Sequence, residues 1–308
     1  NMVKNQAPNT TRIKSLLPTV KNKTRKVQLM LRLKYELKKQ QKEGREKRKK
    51  QREKTGEAPL APKTIESMRV PEDSFVTSDN EEVKNDENID EFASYYKEGV
   101  LPKIIVTTKR RPSEQLVKFA NEVKGIMPNA EYYDRRTYDM KEICEYASNR
   151  EYTDVLVFNE KGKEPEGLWI IHLPEGPTAH FRVSNTWKRR EIPNHGTPTG
   201  YYPELIMKNF DTRLGQRIGR MLASLFPQKP EFRGRNVVTM KNQRDFIFFR
   251  HHRYLFKEDG KKVILQEVGP RMTLKLRSLQ SGIFNAESGE YEFLYQPNMQ
   301  VNRKKFFL

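Results

Sequence analysis

The stretch Gly269-Pro270-Arg271-Met272-Thr273-Leu274-Lys275-Leu276-Arg277-Ser278-Leu279 alternates apolar and cationic residues directly after a Gly-Pro pair. A period of two marks a strand with two unlike faces. Met272, Leu274 and Leu276 fall on one face and require a core. Arg271, Thr273, Lys275 and Arg277 fall on the other, a cationic row with no acidic partner in the run; the alternative for Arg271 is a pair with Glu267, just before the Gly-Pro, in service of the fold. The Gly-Pro pair is expected to end one strand and let the next run back against the core. The cationic face is either solvated or available to a polyanion, and the remainder of the chain decides which.

The chain has 308 residues and a formal net charge of +19, a length that suits one large or two ordinary domains. The charge is unevenly spread: residues 1–56 carry +15, residues 57–99 carry −8 and residues 100–308 carry +12. The body is therefore basic in its own right, which points to an anionic partner such as nucleic acid or a membrane surface. A single cysteine, Cys144, excludes a disulfide framework and a multi-cysteine zinc site. No apolar run approaches the ~18 residues that span a bilayer, and no signal-peptide core opens the chain. The expectation is a soluble, intracellular protein without a membrane partner.

Residues 1–56 read as a basic extension, partly helical, with Val27, Met30, Leu31 and Leu37 as a short apolar stripe. The run 38–54 is almost purely polar, so it orders only on a partner or frays; a nuclear import signal and an RNA-threading arm both fit it. Residues 57–99 read as an acidic disordered linker, a shield for the basic arm or a plain spacer. Order begins near residue 100. A buried strand over 103–111 precedes a helix capped by Ser113, with Leu116, Phe119, Ala120 and Val123 at helical spacing. A second helix is expected from Thr137, with Met140, Ile143, Cys144 and Ala147 on one face, so Cys144 reads as a core residue. Strands over 153–160, 167–174 and 178–185 follow. After a connector over 186–203 the order begins again. A strand over 204–210 and a helix capped by Thr212 lead to strands over 235–242, 245–256, 261–268 and 271–279. The implied class is α/β, with halves of about 100–185 and 204–297 related by a diverged duplication, each a mixed sheet packed with helices. The second half lacks a counterpart of the helix from Thr137. Residues 298–308 read as a basic tail.

No phosphate loop, dinucleotide fingerprint, nucleophile elbow or metal-spaced Cys/His set occurs. No catalytic residue, metal site or cofactor is expected. His251 and His252 are strand neighbours and point to opposite faces; His172, His180 and His195 read as structural. Cations recur instead at the edges of elements: Lys109, Arg110 and Arg111 after the first strand, and Arg135 and Arg136 before the second helix. Lys188, Arg189 and Arg190 lie in the connector, and Arg213, Arg217 and Arg220 form a stripe on the second-half helix. Arg233, Arg235, Lys241, Arg244, Arg250 and Arg253 follow, ahead of Arg271, Lys275 and Arg277. Trp187, Tyr201, Tyr202, Phe232 and Tyr254 interleave with them. Cations contact phosphates and aromatic faces stack unpaired bases, which RNA offers more than duplex DNA. The expected activity is RNA binding.

The segments "NVVTMKNQRDFIFFRHHRYLF" (236–256) and "LQEVGPRMTLKLRSLQSG" (265–282) resemble the Brix family of ribosome-assembly proteins. Glu267, Gly269, Pro270, Arg271, Leu274 and Leu276 are similar to that family's sigma-factor-like element, which is associated with RNA binding. The resemblance spans roughly 100–297 and implies a Brix domain of two halves, each similar to a tRNA-synthetase anticodon-binding domain. It implies a non-enzymatic factor acting on precursor rRNA of the large subunit in the nucleus and nucleolus. A non-Brix assembly factor and other pre-ribosomal proteins are the implied protein partners. An RNA-modifying or RNA-processing enzyme with an unrecognised site is the alternative, and a detached anticodon-binding module is a third.

Overall fold

The computed structural model describes residues 9–55, 64–70, 74–76, 81–127, 129–257, 260, 262–284, 289–302 and 304–308. Two compact units, Asn1–Lys63 and Thr64–Leu308, make up the chain. In the first, helix α1 (Asn9–Leu16) packs on α2 (Lys23–Thr55). None of the 33 residues of α2 is buried, so the helix rests on local propensity rather than on a core.

The second unit holds α3 (Glu81–Ile89), α4 (Ala93–Lys97), β1 (Ile104–Thr108), α5 (Glu114–Lys124), β2 (Ala130–Tyr132), α6 (Met140–Ser148), β3 (Asp154–Lys161), β4 (Glu164–His172) and β5 (Thr178–Trp187). It continues with β6 (Glu204–Lys208), α7 (Arg213–Ser224), β7 (Asn236–Gln243), β8 (Phe246–Lys257), β9 (Lys262–Glu267), β10 (Arg271–Gln280) and β11 (Tyr291–Leu294). Among the described residues these strands form one sheet in the order β2-β1-β3-β4-β5-β10-β8-β7-β6, with β11 paired to β10 and β9 to β8. Each half opens the same way: a strand, a helix, then a parallel strand, as β1–α5–β2 and β6–α7–β7. The two expected sheets are thus one continuous sheet, joined where β5 pairs antiparallel with β10.

The larger core lies between this sheet and α5 and α7. Ser113 caps α5 by accepting from Leu116 N at 3.3 Å, and Leu116, Phe119, Ala120 and Val123 are buried. Thr212 caps α7 by accepting from Gly215 N at 2.8 Å, and Ile218, Met221 and Leu222 are buried. Met272, Leu274 and Leu276 of β10 meet these helices in the same core. On the opposite face α6 covers only the first half, where Cys144 and Ala147 pack on Ile105, Val155, Val157 and Ile171. This helix begins at Met140 rather than Thr137, with the Glu142 carboxylate accepting from Asp139 N at 2.8 Å.

Three expectations are corrected. The Gly-Pro pair does not reverse the chain, because β9 and β10 both run antiparallel to β8 along the same edge. Residues 268–270 form a kink between them, with the amides of Val268 and Gly269 both donating to His251 O at 2.9 and 3.4 Å. Gly269 has φ +74°, and a Cβ there would lie 2.6 Å from Ile192 Cδ1, so only glycine fits the kink.

Residues 57–99 are not a disordered linker where they are described; 57–63, 71–73 and 77–80 lie outside the described residues. Phe92 is 0% exposed and Tyr95 5%. Their rings pack on His172 at centroid distances of 4.8 and 5.6 Å. An acidic average over the segment hides these two aromatic anchors.

The 298–308 segment is no free tail. Phe306 and Leu308 are buried, Asp245 accepts from the amides of Phe307 and Leu308 at 2.7 and 2.9 Å, and Thr212 Oγ1 donates to Phe307 O at 2.7 Å.

Phe92→Ala should cost about 3–5 kcal/mol in urea-induced unfolding of the second unit, because a fully buried ring leaves a cavity. An unchanged unfolding midpoint would mean that the acidic segment is not part of the fold.

Candidate nucleic-acid interface

The face of the sheet that α6 covers in the first half carries no helix of this unit over β10, β8, β7 and β6 among the described residues. Strand alternation decides what it presents. Leu274 and Val183 pair toward the core, so Lys275 and Arg182 pair on the open side. Ser184, Thr273, Phe248, Lys241 and Lys208 form a register row across five strands. Lys275 Nζ lies 5.0 Å above the Phe246 ring and 4.6 Å from that of Tyr295. The Arg277 guanidinium is 5.0 Å from Tyr295, and that of Arg250 is 5.6 Å from Phe248. Arg182 and Lys275 are like charges directly opposite each other on adjacent strands, a placement that costs stability unless an anion joins it. Cations held over aromatic rings on a pleated surface can contact phosphate and stack a base at the same time.

Not every expected cation is available to a ligand. Arg271 is engaged by Glu267, with Nε–Oε1 at 2.5 Å and Nη2–Oε2 at 2.7 Å, and its guanidinium lies 5.0 Å from the Trp187 ring. Burial works against the Glu267 carboxylate, yet the hydrogen bonds and charge of Arg271 hold it below the usual 4.5. Arg271 thus clamps the kink before β10 and is an engaged cation rather than a free one. The stripe on α7 is claimed by the acidic segment. Arg213 pairs with Glu82 at 2.8 Å, Arg217 with Glu91 at 2.7 Å and Glu292 at 3.0 Å, and Arg220 with Asp90 at 2.7 Å. Burial opposes the charge on Arg217, but its two carboxylates outweigh this and raise its pKa.

The other cations fall into separate groups. Lys109 pairs with Glu160 at 3.1 Å, Arg110 with Asp139, and Lys188 with Glu191 at 3.1 Å. Arg111 and Arg136 are exposed with positive φ. Arg189 is half-buried beside the kink, its amide donating to Glu122 at 2.8 Å, while Arg190 is exposed. Arg233 and Arg235 flank Gly234, where a Cβ would lie 2.4 Å from that of Tyr201. Arg244 sits at the turn between β7 and β8. Arg253, one residue out of phase with Arg250 on β8, points to the opposite side of the sheet. The open face therefore gathers Lys241, Arg250, Lys275 and Arg277 from the expected set. It adds Arg182, Lys208, Phe246, Phe248 and Tyr295, which the sequence reading missed. The signal for Arg182 is the alternation of Ala179, Phe181 and Val183 against His180, Arg182 and Ser184.

His251, His172, His180 and Cys144 are engaged within the fold. His251 is buried, hydrogen-bonded to Gly269 O at 3.2 Å and held at about 4 by burial. His172 Nδ1 lies 2.8 Å from Asp154 Oδ1, and His180 stacks on Trp169 at 4.0 Å. Burial pushes the Cys144 thiol up to about 11, away from nucleophilic use. No group of His, Cys, Asp and Glu that could hold a metal ion occurs among the described residues. Nor, among them, is any helix long and apolar enough to cross a membrane.

A two-halved α/β sheet with α5 and α7 on one face, and on the other α6 over the first half and an open cationic surface over the second, defines the class. The Brix domain model matches residues 109–278. The chain is 47% identical over 294 residues to ribosome production factor 1 of Pongo abelii, covering 94% of this chain and 84% of that protein. It is 51% identical over 249 residues to ribosome production factor 1 of Xenopus laevis, covering 80% and 72%. With probable ribosome production factor 1 of Drosophila melanogaster it shares 43% identity over 307 residues, covering 97% and 77%. The chain belongs to the Brix family.

Glu91 and Glu267 both sit below their ordinary value of 4.5 in the folded chain: burial raises each, and arginine hydrogen bonding more than offsets it. Their contribution is thus fully present above pH 4.5 and is lost as pH falls through the folded values. Asp245, raised by burial, acts in the opposite sense. Arg271→Met should cost about 1–3 kcal/mol, since it strands a half-buried carboxylate. The same change should shrink the loss of stability on acidification below pH 4.5. Equal acid sensitivity in variant and wild type, followed by urea unfolding across that range, would rule the pair out as its cause.

Proposed function

We propose that this chain is a non-enzymatic assembly factor of the large ribosomal subunit that binds precursor rRNA in the nucleus and nucleolus. Its protein partners are a non-Brix assembly factor and other pre-ribosomal proteins. Family membership and the names of its relatives support a role in ribosome production. The observation that carries the RNA reading is the open sheet face, where Arg182, Lys275 and Arg277 stand among Phe246, Phe248 and Tyr295. Guanidinium, ammonium and aromatic groups recognise phosphate and base without transforming either. The basic arm adds affinity without specificity, because α2 offers charge along an exposed helix and no buried framework to fix a contact.

Lys275→Glu with Arg277→Glu should leave the melting temperature nearly unchanged and reduce affinity for precursor-rRNA fragments sharply. The slope of log affinity against log salt should also fall by about 0.7–0.9 for each phosphate that the variant no longer neutralises. A matched reversal at Lys49 and Lys50 on α2 should cost much less. Deleting residues 1–56 should flatten the salt slope without abolishing binding. If the sheet-face reversal leaves RNA affinity intact, this face is not the RNA interface.

A further inference from the structure

The first half carries a second feature that its core does not explain. Between α6 and the β1–β2 edge lies a cavity of about 260 Å³. Tyr133, Tyr138 and Tyr146 wall it, 44%, 45% and 54% exposed, with buried Ala147 among its lining. The Tyr138 and Tyr146 rings meet edge to face, with centroids 5.8 Å apart at 85°. Tyr133 is fixed from beneath, its hydroxyl donating to Glu131 Oε2 at 2.7 Å. Arg135 and Arg150 complete the lining. Arg135 is positioned by donating from Nε to Tyr138 O at 3.1 Å. No ion pair of either arginine occurs among the described residues.

Ile105 and Ala147 of the adjacent core line the cavity and Tyr133 meets Tyr152 edge to face at 6.5 Å, while Tyr138 and Tyr146 stand half-exposed outside that core. The cavity runs along the face of β1, which contributes Ile105 and Thr107, under Ile143, Tyr146 and Ala147 of α6, and opens at the carboxyl end of β2, where Tyr133, Asp134 and Arg135 follow the strand. It is smaller than the roughly 300–1,000 Å³ of sites for drug-sized molecules, which suits a single ring system. Aromatic walls with guanidinium groups beside them are the chemistry that takes a flipped-out base and its phosphate.

We propose that this pocket takes one unpaired nucleotide of a bound RNA, its base against the tyrosine rings and its phosphate at Arg135 and Arg150. The assignment rests on the RNA-binding reading above and adds to it a preference for single-stranded over duplex RNA. Asp134, which also lines the pocket, offers an acceptor to an amino-bearing base edge.

The test uses the full chain and two probes, a 12-nucleotide single-stranded RNA and a blunt RNA duplex of equal length, measured by fluorescence anisotropy. Tyr138→Ala and Tyr146→Ala should each weaken single-strand binding roughly 5- to 150-fold, the range for losing a stacked base, and leave duplex binding unchanged. Tyr138→Phe and Tyr146→Phe should retain affinity, because the ring remains. Ultraviolet crosslinking of the wild-type chain to the single strand should place adducts on peptides spanning 133–138 and 142–150, a readout independent of whether the alanine variants fold. Wild-type binding with silent alanine variants and no adducts on these peptides overturns the pocket and leaves the RNA reading standing. Equal losses on both probes would assign the tyrosines to the fold and likewise overturn the pocket. A wild-type chain that binds neither RNA overturns the RNA reading itself.

Discussion

The antiparallel pairing of β5 with β10 is the constraint on which the second unit depends. It is the seam between two halves that each begin with a strand, a helix and a parallel strand. Its register places Leu274 against Val183 and Leu276 against Phe181 in the main core, and Lys275 against Arg182 on the opposite face. A slip of one residue would exchange those faces, burying the cations and exposing the leucines. The register is set from one end by the kink at Gly269 and the Arg271–Glu267 clamp. The pairing shifts register just after that clamp, between Arg271 and Thr273, and again at the other end between Leu276 and Ser278. The glycine and the clamping arginine of the family element thus serve the alignment of the strand, while the lysine and arginine further along it face outward.

Charge divides the same way. The unit holding the sheet is rich in cations, but many of them serve the fold. Arg213, Arg217 and Arg220 bind the acidic segment to α7 through charge-assisted hydrogen bonds, and Phe92 and Tyr95 seat that segment in the core. Lys109 and Glu160 fix the start of α5, with Glu160 also accepting from Ser113 N at 2.9 Å. Arg182, Lys241, Arg250, Lys275 and Arg277 on the open sheet face, and Arg135 and Arg150 at the tyrosine pocket, have no carboxylate ion pair among the described residues, although Arg250 donates to Phe249 O and Met272 O at 2.7 and 3.1 Å. Formal net charge points to a polyanionic partner, while the pairing pattern points to where a polyanion can sit.

Much of this was legible in the residues. The alternation of 271–279 gave both faces of β10, and helical spacing gave the buried sides of α5, α6 and α7. The caps at Ser113 and Thr212 came from side-chain chemistry within three residues. The strand and helix that open each half and the core position of Cys144 were legible for the same reason: each follows from local periodicity. The role of Arg271 was only half legible: Glu267 stood four residues away as a candidate partner, but alternation does not distinguish a paired cation from a free one.

The sequence by itself determined which residues face a core, which carry charge, and that the chain is a Brix protein whose cations and aromatics suit a polyanionic partner. Tertiary structure alone decided which charges remain unpaired. The acidic segment meets α7 across more than 120 residues of chain, as Arg217–Glu91 and Arg220–Asp90 illustrate. Arg182 meets Lys275 across a strand pair of high sequence separation. Such contacts depend on how the sheet closes its order, and no local period encodes them. Whether a cation binds a carboxylate of its own chain or awaits a phosphate is therefore settled by long-range geometry, since charge acts through space and the folded sheet determines which groups share that space.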